Sequence, residues 1–289
     1  MHSADASSTR LAGAVHLSAM TATEPRLAYR VFGTRGEPVL FIMGFSMPGG
    51  VWSPQVEALQ DEFRCCHYDH LGLGDSEHGQ ALPSIPSMAA DAVRIMDDLK
   101  WARVHVVGVS MGGMIAQELA LRYPDRCSTL TLIATHGGAF SAPIPTARGT
   151  YYFLKGLLGG SKVRLRSLPK LLYPQAYLDQ IDRTVFNRHM RTRVGRKPPP
   201  RTVAGQFFAI SKHRTERRLG QLRMPVLLVR PGKDILIRPK QTDRLAARIR
   251  GARVIRYEDA GHGVTFQKRV ELNEALREHF RGATPSAKA

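Results

Sequence analysis

An apolar, β-branched run, Val104, Val106 and Val107 around His105, leads into Gly108-Val109-Ser110-Met111-Gly112, and the apolar stretch Met114-Ile115-Ala116 leads out. This order predicts a strand, a sharp turn and a helix, with a serine at the tip of the turn. Such a turn presses the end of the strand against the start of the helix. Its flanking positions therefore have no room for Cβ atoms, and glycine stands at both. The serine hydroxyl is carried clear of its own backbone, and the first N–H groups of the helix lie beside it, unpaired and at the positive end of the dipole. In a chain with 26 glycines the bare pentapeptide is a weak signal; the strand before it and the helix after it make it specific.

The same alternation continues along the chain. Residues 26–33, 39–44, 63–69, 104–109, 128–135, 226–230 and 252–258 read as strands, and 39–44 and 226–230 are continuous apolar runs of the kind buried on both faces of a sheet. Helical spacing occupies 53–62, 87–99, the stretch after Ser110 to near Tyr123, 239–249 and 270–280. Strands alternating with helices imply an α/β fold, a mostly parallel sheet covered on both faces. Residues 136–223 break the rhythm. They are helical in tendency, rich in Tyr, Phe and Arg, and punctuated by prolines such as Pro145, Pro169, Pro174 and Pro198. They read as a helical cap or lid inserted over the carboxyl edge of the sheet, with residues 1–135 and 224–289 as the core. A length of 289 residues accommodates one such domain and its insertion.

The hydrophobic fraction of 43% supports a substantial core, yet no run approaches the ~18 apolar residues of a membrane span. Residues 1–14 lack the apolar stretch of a secretory signal, and residues 282–289 read as a loose tail. Three cysteines make no disulfide framework. Cys65 and Cys66 fall in an expected buried strand as small core residues, and a reducing, cytoplasmic compartment is expected. The net charge of +18 is concentrated: residues 141–220 hold 17 Lys/Arg against 3 acids, a net +14, while the other 209 residues hold 25 against 21.

A serine hydroxyl needs a base to act as a nucleophile, and the base needs an orienting acid. Of the 11 histidines, His262 lies in a glycine-flanked turn just past the strand 252–258. The preceding strand, 226–230, ends in Pro231-Gly-Lys-Asp234, which puts a carboxylate at the tip of a turn. Ser110, Asp234 and His262 thus each follow a strand, in the chain order Ser…Asp…His. Asp259 is the second candidate acid, set aside because it is only three residues from His262. An oxyanion requires backbone donors. Met111 N–H, directly after the serine, is one; Phe45 N–H, in the loop Met43-Gly44-Phe45-Ser46 after strand 39–44, is the other.

With these residues in place the sequence resembles the α/β-hydrolase superfamily from about residue 27 to residue 280. The resemblance implies an eight-stranded sheet, a cap between strands six and seven, and a Ser110/Asp234/His262 triad. Two departures stand out. Met43-Gly44 replaces the His-Gly pair common at the oxyanion loop, and Leu71 replaces the usual arginine in the loop from Asp69 to Ser76. Ser110 argues against the dehalogenase and epoxide-hydrolase branches, which use aspartate at this turn. Carboxylesterases, monoacylglycerol lipases, methylesterases, enol-lactonases, carbon–carbon bond hydrolases and cofactor-free haloperoxidases remain open.

The expected activity is therefore cleavage of a carboxylic ester through an acyl-enzyme at Ser110. A non-catalytic ligand-binding protein on the same fold is the alternative from another class. Met43, Gly44, Met47, Trp52 and Met114 cluster around the catalytic loops and, with Phe45, predict an apolar, adaptable acyl pocket. No cofactor is expected. No Cys/His cluster has metal-ligand spacing, and Gly72-x-Gly74 lacks the rest of a dinucleotide loop. The basic insertion leaves three readings open. It is a solvated face, a recognition surface for an anionic group, or a patch for an anionic membrane surface with Tyr151, Tyr152, Phe153 and Leu154 as apolar contacts. Nucleic acid is not an expected partner, since no recognition motif accompanies the arginines.

Overall fold

The computed structural model describes residues 15–79, 81–138, 145–194 and 198–282. The expectations for residues 1–14 and for the tail beyond Gly282 concern residues outside these. In chain order the strands are β1 (Val15–Met20), β2 (Ala28–Phe32), β3 (Pro38–Ile42), β4 (Arg64–Tyr68), β5 (Val104–Val109), β6 (Cys127–Ile133), β7 (Val226–Pro231) and β8 (Arg253–Tyr257). Helices α1 (Ser53–Leu59), α2 (Ile85–Asp98) and α3 (Met111–Arg122) fall between β3 and β6. Helices α4 (Ala147–Leu158), α5 (Ser161–Leu172), α6 (Gln175–Gln180), α7 (Arg183–Val194) and α8 (Pro200–Lys212) all lie between β6 and β7. Helix α9 (Lys240–Ala246) joins β7 to β8, and α10 (Val264–Gln267) and α11 (Arg269–Arg281) follow β8.

Among the described residues the eight strands form one sheet in the order β1-β2-β4-β3-β5-β6-β7-β8. Strand β2 runs antiparallel to β1 and to β4; every other neighbouring pair is parallel. β1 is an edge strand outside the set expected from the sequence. Its pairing with β2, Leu17 opposite Val31 and Ala19 opposite Tyr29, completes the sheet.

The central strands separate two cores by simple alternation. Leu40, Ile42, Val104, Val106, Leu130 and Leu132 face α2 and α3. Val39, Phe41, Val107, Val109 and Ile133 face α1 and α11. Val39, Leu40, Phe41 and Ile42 are all fully buried, as a strand covered on both faces requires. Cys65, Cys66 and Cys127 are buried free thiols in β4 and β6, and burial pushes the Cys127 thiol up to about 12. The opposite edge strand, β8, carries exposed Arg253 and Arg256, charges that discourage edge-to-edge pairing.

A third apolar cluster joins the inserted helices to the core: Leu168 and Leu171 of α5, Tyr173, Phe186 and Met190 of α7, and Phe266 of α10. The insertion leaves Tyr151, Leu154, Leu158, Phe207 and Phe208 exposed. Among the described residues no helix is long and apolar enough to cross a membrane.

Candidate active site

The turn between β5 and α3 has the geometry its glycines imply. Ser110 sits at φ 54°, ψ −122°, a conformation that L-residues seldom adopt, as the residue capping α3. Such a backbone costs about 1–3 kcal/mol and persists only where its surroundings fix it. Here Ser110 N–H donates to Ile133 O at 2.9 Å, and Ser110 O accepts from Thr135 Oγ1 at 2.7 Å. A Cβ on Gly112 would stand 2.1 Å from Ile42 O, and one on Gly108 would stand 2.3 Å from Gly112 O. Strand and helix therefore approach too closely for any side chain at these positions.

Across the sheet edge, His262 Nδ1 and Asp234 Oδ2 are 2.7 Å apart. Asp234 is 3% exposed, and its other oxygen accepts from Leu236 N–H at 2.8 Å and Ile237 N–H at 2.9 Å. The carboxylate is thus held by its own turn and spends its remaining oxygen on the imidazole. Asp259, the second candidate acid, instead points outward to an ion pair with Lys268 at 2.7 Å. The turn holding His262 needs its glycines. A Cβ on Gly263 would stand 2.4 Å from the Tyr173 ring, and Gly263 N–H donates to Leu172 O at 2.8 Å, so the loop is seated beneath the end of α5.

Ser110 and His262 line one cavity of about 410 Å³ at the carboxyl ends of the strands. Its walls come from the loop after β3 (Met43, Gly44, Phe45, Ser46, Met47), from Met114 of α3, and from the inserted helices through Phe153, Arg164, Leu168, Leu171 and Phe207. Gly44 lies directly against the serine: a methyl there would be 3.1 Å from Ser110 Cβ. Among the described residues neither Phe45 N–H nor Met111 N–H donates a hydrogen bond.

The expected pocket set needs one correction. Met43, Gly44, Met47 and Met114 line the cavity, but Trp52 does not. Trp52 is 1% exposed and packs on Phe41 at 5.1 Å between ring centroids, because the helical turn that carries it directs its ring beneath the sheet. The Met111 side chain is likewise core, and only its backbone is available to the site.

Three lining residues have no distinguishing signal in the sequence. Ser46 sits at φ 56° and is 4% exposed; its N–H donates to Gln206 Oε1 at 2.8 Å, and its carbonyl accepts from Arg164 Nη2 at 3.1 Å. Arg164 is 7% exposed, and burial lowers its pKa from the ordinary value. His136 is also buried; burial pushes it down to about 4, so its imidazole is neutral at pH 7. Among the described residues no three His, Cys, Asp or Glu side chains converge on a metal position.

Known proteins resemble this chain over most of its length. The "Putative carbamate hydrolase RutD" of Caulobacter vibrioides is 30% identical over 252 residues, covering 86% of this chain and 91% of the relative. The structure of Rv0554 from Mycobacterium tuberculosis superposes with a TM-score of 0.77 at 26% identity, covering 93% of this chain and all of the other. The enol-lactonase of Burkholderia xenovorans LB400 superposes with a TM-score of 0.79 at 24% identity, over 91% of this chain and 100% of that one, a likeness of fold. The model of the alpha/beta hydrolase fold family matches residues 37–268, well over half of the sequence, and the chain belongs to that family.

Proposed function

We propose that this chain is a serine hydrolase that cleaves a carboxylic ester through an acyl-enzyme at Ser110. The observation that carries the reading is the 2.7 Å contact between His262 Nδ1 and a buried Asp234, on the same cavity as a serine held in a strained turn. In this reading Ser110 Oγ attacks the ester carbonyl while His262 Nε2 takes its proton. Asp234 fixes the Nδ1–H tautomer and stabilises the imidazolium as it forms. Phe45 and Met111 N–H groups receive the oxyanion. The imidazolium returns the proton to the leaving alcohol, and water, activated by the same base, releases the acid.

Residues 136–223 act as the cap in this scheme. Their aromatic and aliphatic side chains supply much of the cavity wall, which suits an apolar acyl group. Lactones share the chemistry and differ only in that the leaving alcohol stays attached. A carbamate, the group in the name of the 30% identical relative, offers the same carbonyl to the same nucleophile. A cavity of about 410 Å³ walled by Met, Phe and Leu suits a larger apolar acid better than so small and polar a substrate.

Hydrolysis of p-nitrophenyl esters of rising acyl length tests the reading. Ser110→Ala and His262→Ala should each lower kcat by about 10⁴-fold or more while the fold persists. Full activity in Ser110→Ala would refute it.

A further inference from the structure

The cavity contains one charge that no described residue neutralises. Arg164 projects from α5 into a wall otherwise made largely of methionine, leucine and aromatic side chains, and it is 7% exposed. Its guanidinium has five N–H donors. Among the described residues it makes one bond, from Nη2 to Ser46 O at 3.1 Å, and Nε has no partner. No carboxylate among those residues pairs with it, and burial alone accounts for its lowered pKa. Two neighbours are in the same condition. Ser46 Oγ, also on the cavity, and Nε2 of Gln206, whose Oε1 is committed to Ser46 N–H, find no partners among the described residues. Of these groups Arg164 and Ser46 line the cavity; the guanidinium is a pure donor, and the hydroxyl donates as readily as it accepts.

A buried guanidinium without an acid and with donors to spare is complementary to an acceptor that arrives from outside. We infer that Arg164 is the carboxylate subsite of this cavity: the substrate is an apolar ester or lactone that bears one free carboxylate in addition to the scissile carbonyl. The inference rests on the reading of Ser110, Asp234 and His262 as the hydrolytic machinery. One guanidinium balances one carboxylate, whereas a phosphate dianion would leave a charge unpaired among apolar walls. The pairing also touches the reaction centre. Arg164 holds Ser46 O, and Ser46 follows Phe45, the proposed oxyanion donor. A carboxylate seated on Arg164 thereby fixes the acyl chain and the oxyanion loop together.

Calorimetric titration with 6-phenylhexanoate and with 6-phenylhexanamide tests the subsite without relying on catalysis. The wild-type protein should bind the carboxylate about 100-fold more tightly than the amide, as expected when a buried charge gains its partner. The ratio should collapse toward unity in Arg164→Gln and survive in part in Arg164→Lys, which keeps the charge and loses the fork. Equal binding of the two probes by the wild type, or a ratio that survives in Arg164→Gln, would overturn the inference. The kinetic counterpart compares mono-p-nitrophenyl suberate with p-nitrophenyl octanoate. The wild type should favour the acid in kcat/KM, and Arg164→Gln should lose that preference. An equal fall on both esters would contradict the subsite and make Arg164 a positioning residue for Ser46 alone. Fluorophosphonate labelling of Ser110 in the same preparation separates the two readings. Absent labelling with an intact carboxylate preference sinks the hydrolytic scheme; present labelling without the preference sinks the subsite.

Discussion

Asp234 shows how little freedom a single side chain retains in this site. Both oxygens are engaged, one by two backbone N–H groups and one by His262, and the group is almost wholly buried. Asp234→Asn keeps the shape but puts an amide where the imidazole needs an acceptor. In the proposed scheme kcat should fall about 10⁴-fold with KM nearly unchanged, a split that steady-state kinetics reads directly. The glycine beside the serine is as constrained. Gly112→Ala would set a methyl 2.1 Å from Ile42 O, and the strand cannot yield without moving the sheet. A loss of about 3 kcal/mol in urea unfolding is expected, and an unaltered midpoint would contradict the close packing. Both residues are legible in the sequence because local chemistry fixes them: the glycine by turn sterics, the aspartate by its place after the strand that precedes the histidine's. Trp52 departs from its expected place for the complementary reason. Nearness in sequence to the Met43–Met47 loop says nothing of which side of the sheet its helical turn will face.

At the scale of elements, α5 and α8 reach from the insertion to a single residue of the core. Arg164 and Gln206 bind Ser46 through its carbonyl and its N–H, at sequence separations of 118 and 160 residues. Gln206→Ala would leave a buried N–H unsatisfied, a penalty of about 1–3 kcal/mol, and release a loop whose Ser46 stands at φ 56°. The loosened loop should lower kcat about 10-fold, with a smaller change in KM, because Phe45 N–H then drifts from the oxyanion position. A rise in KM with kcat unchanged would instead indicate a change in binding alone. These contacts are not legible in the sequence. Core strands announce themselves by continuous apolar runs, whereas an arginine in a run of cations reads as solvated surface until the fold buries it. Strand β1 is a different case: Val15, Leu17 and Ala19 alternate with His16 and Ser18, but a run of six residues is too short to stand out until its partner, β2, defines it.

The whole molecule buries His67, His136, His213 and His279 in uncharged form. Burial pushes His67, His136 and His279 down to about 4 and His213 to about 3, from an ordinary 6.5. Between those limits the unfolded chain binds more protons than the folded one, so stability is complete above pH 6.5 and declines as pH falls toward 4. A tenfold loss of proton affinity on folding corresponds to about 1.4 kcal/mol, and four sites acting together should lower the thermal midpoint measurably between pH 7.5 and pH 5.0. A midpoint that does not move over this range would contradict the neutral burial of these rings. In the proposed scheme the same assembly governs reactivity. Ser110 is an ordinary hydroxyl except where β5, the turns after β7 and β8 and the inserted helices meet, which places the central claim within reach of one measurement. Treatment with a fluorophosphonate, followed by peptide mapping, should modify Ser110 in the folded protein and leave it unmodified after unfolding in urea. A folded protein whose Ser110 resists the reagent would contradict the assignment of this serine as the nucleophile.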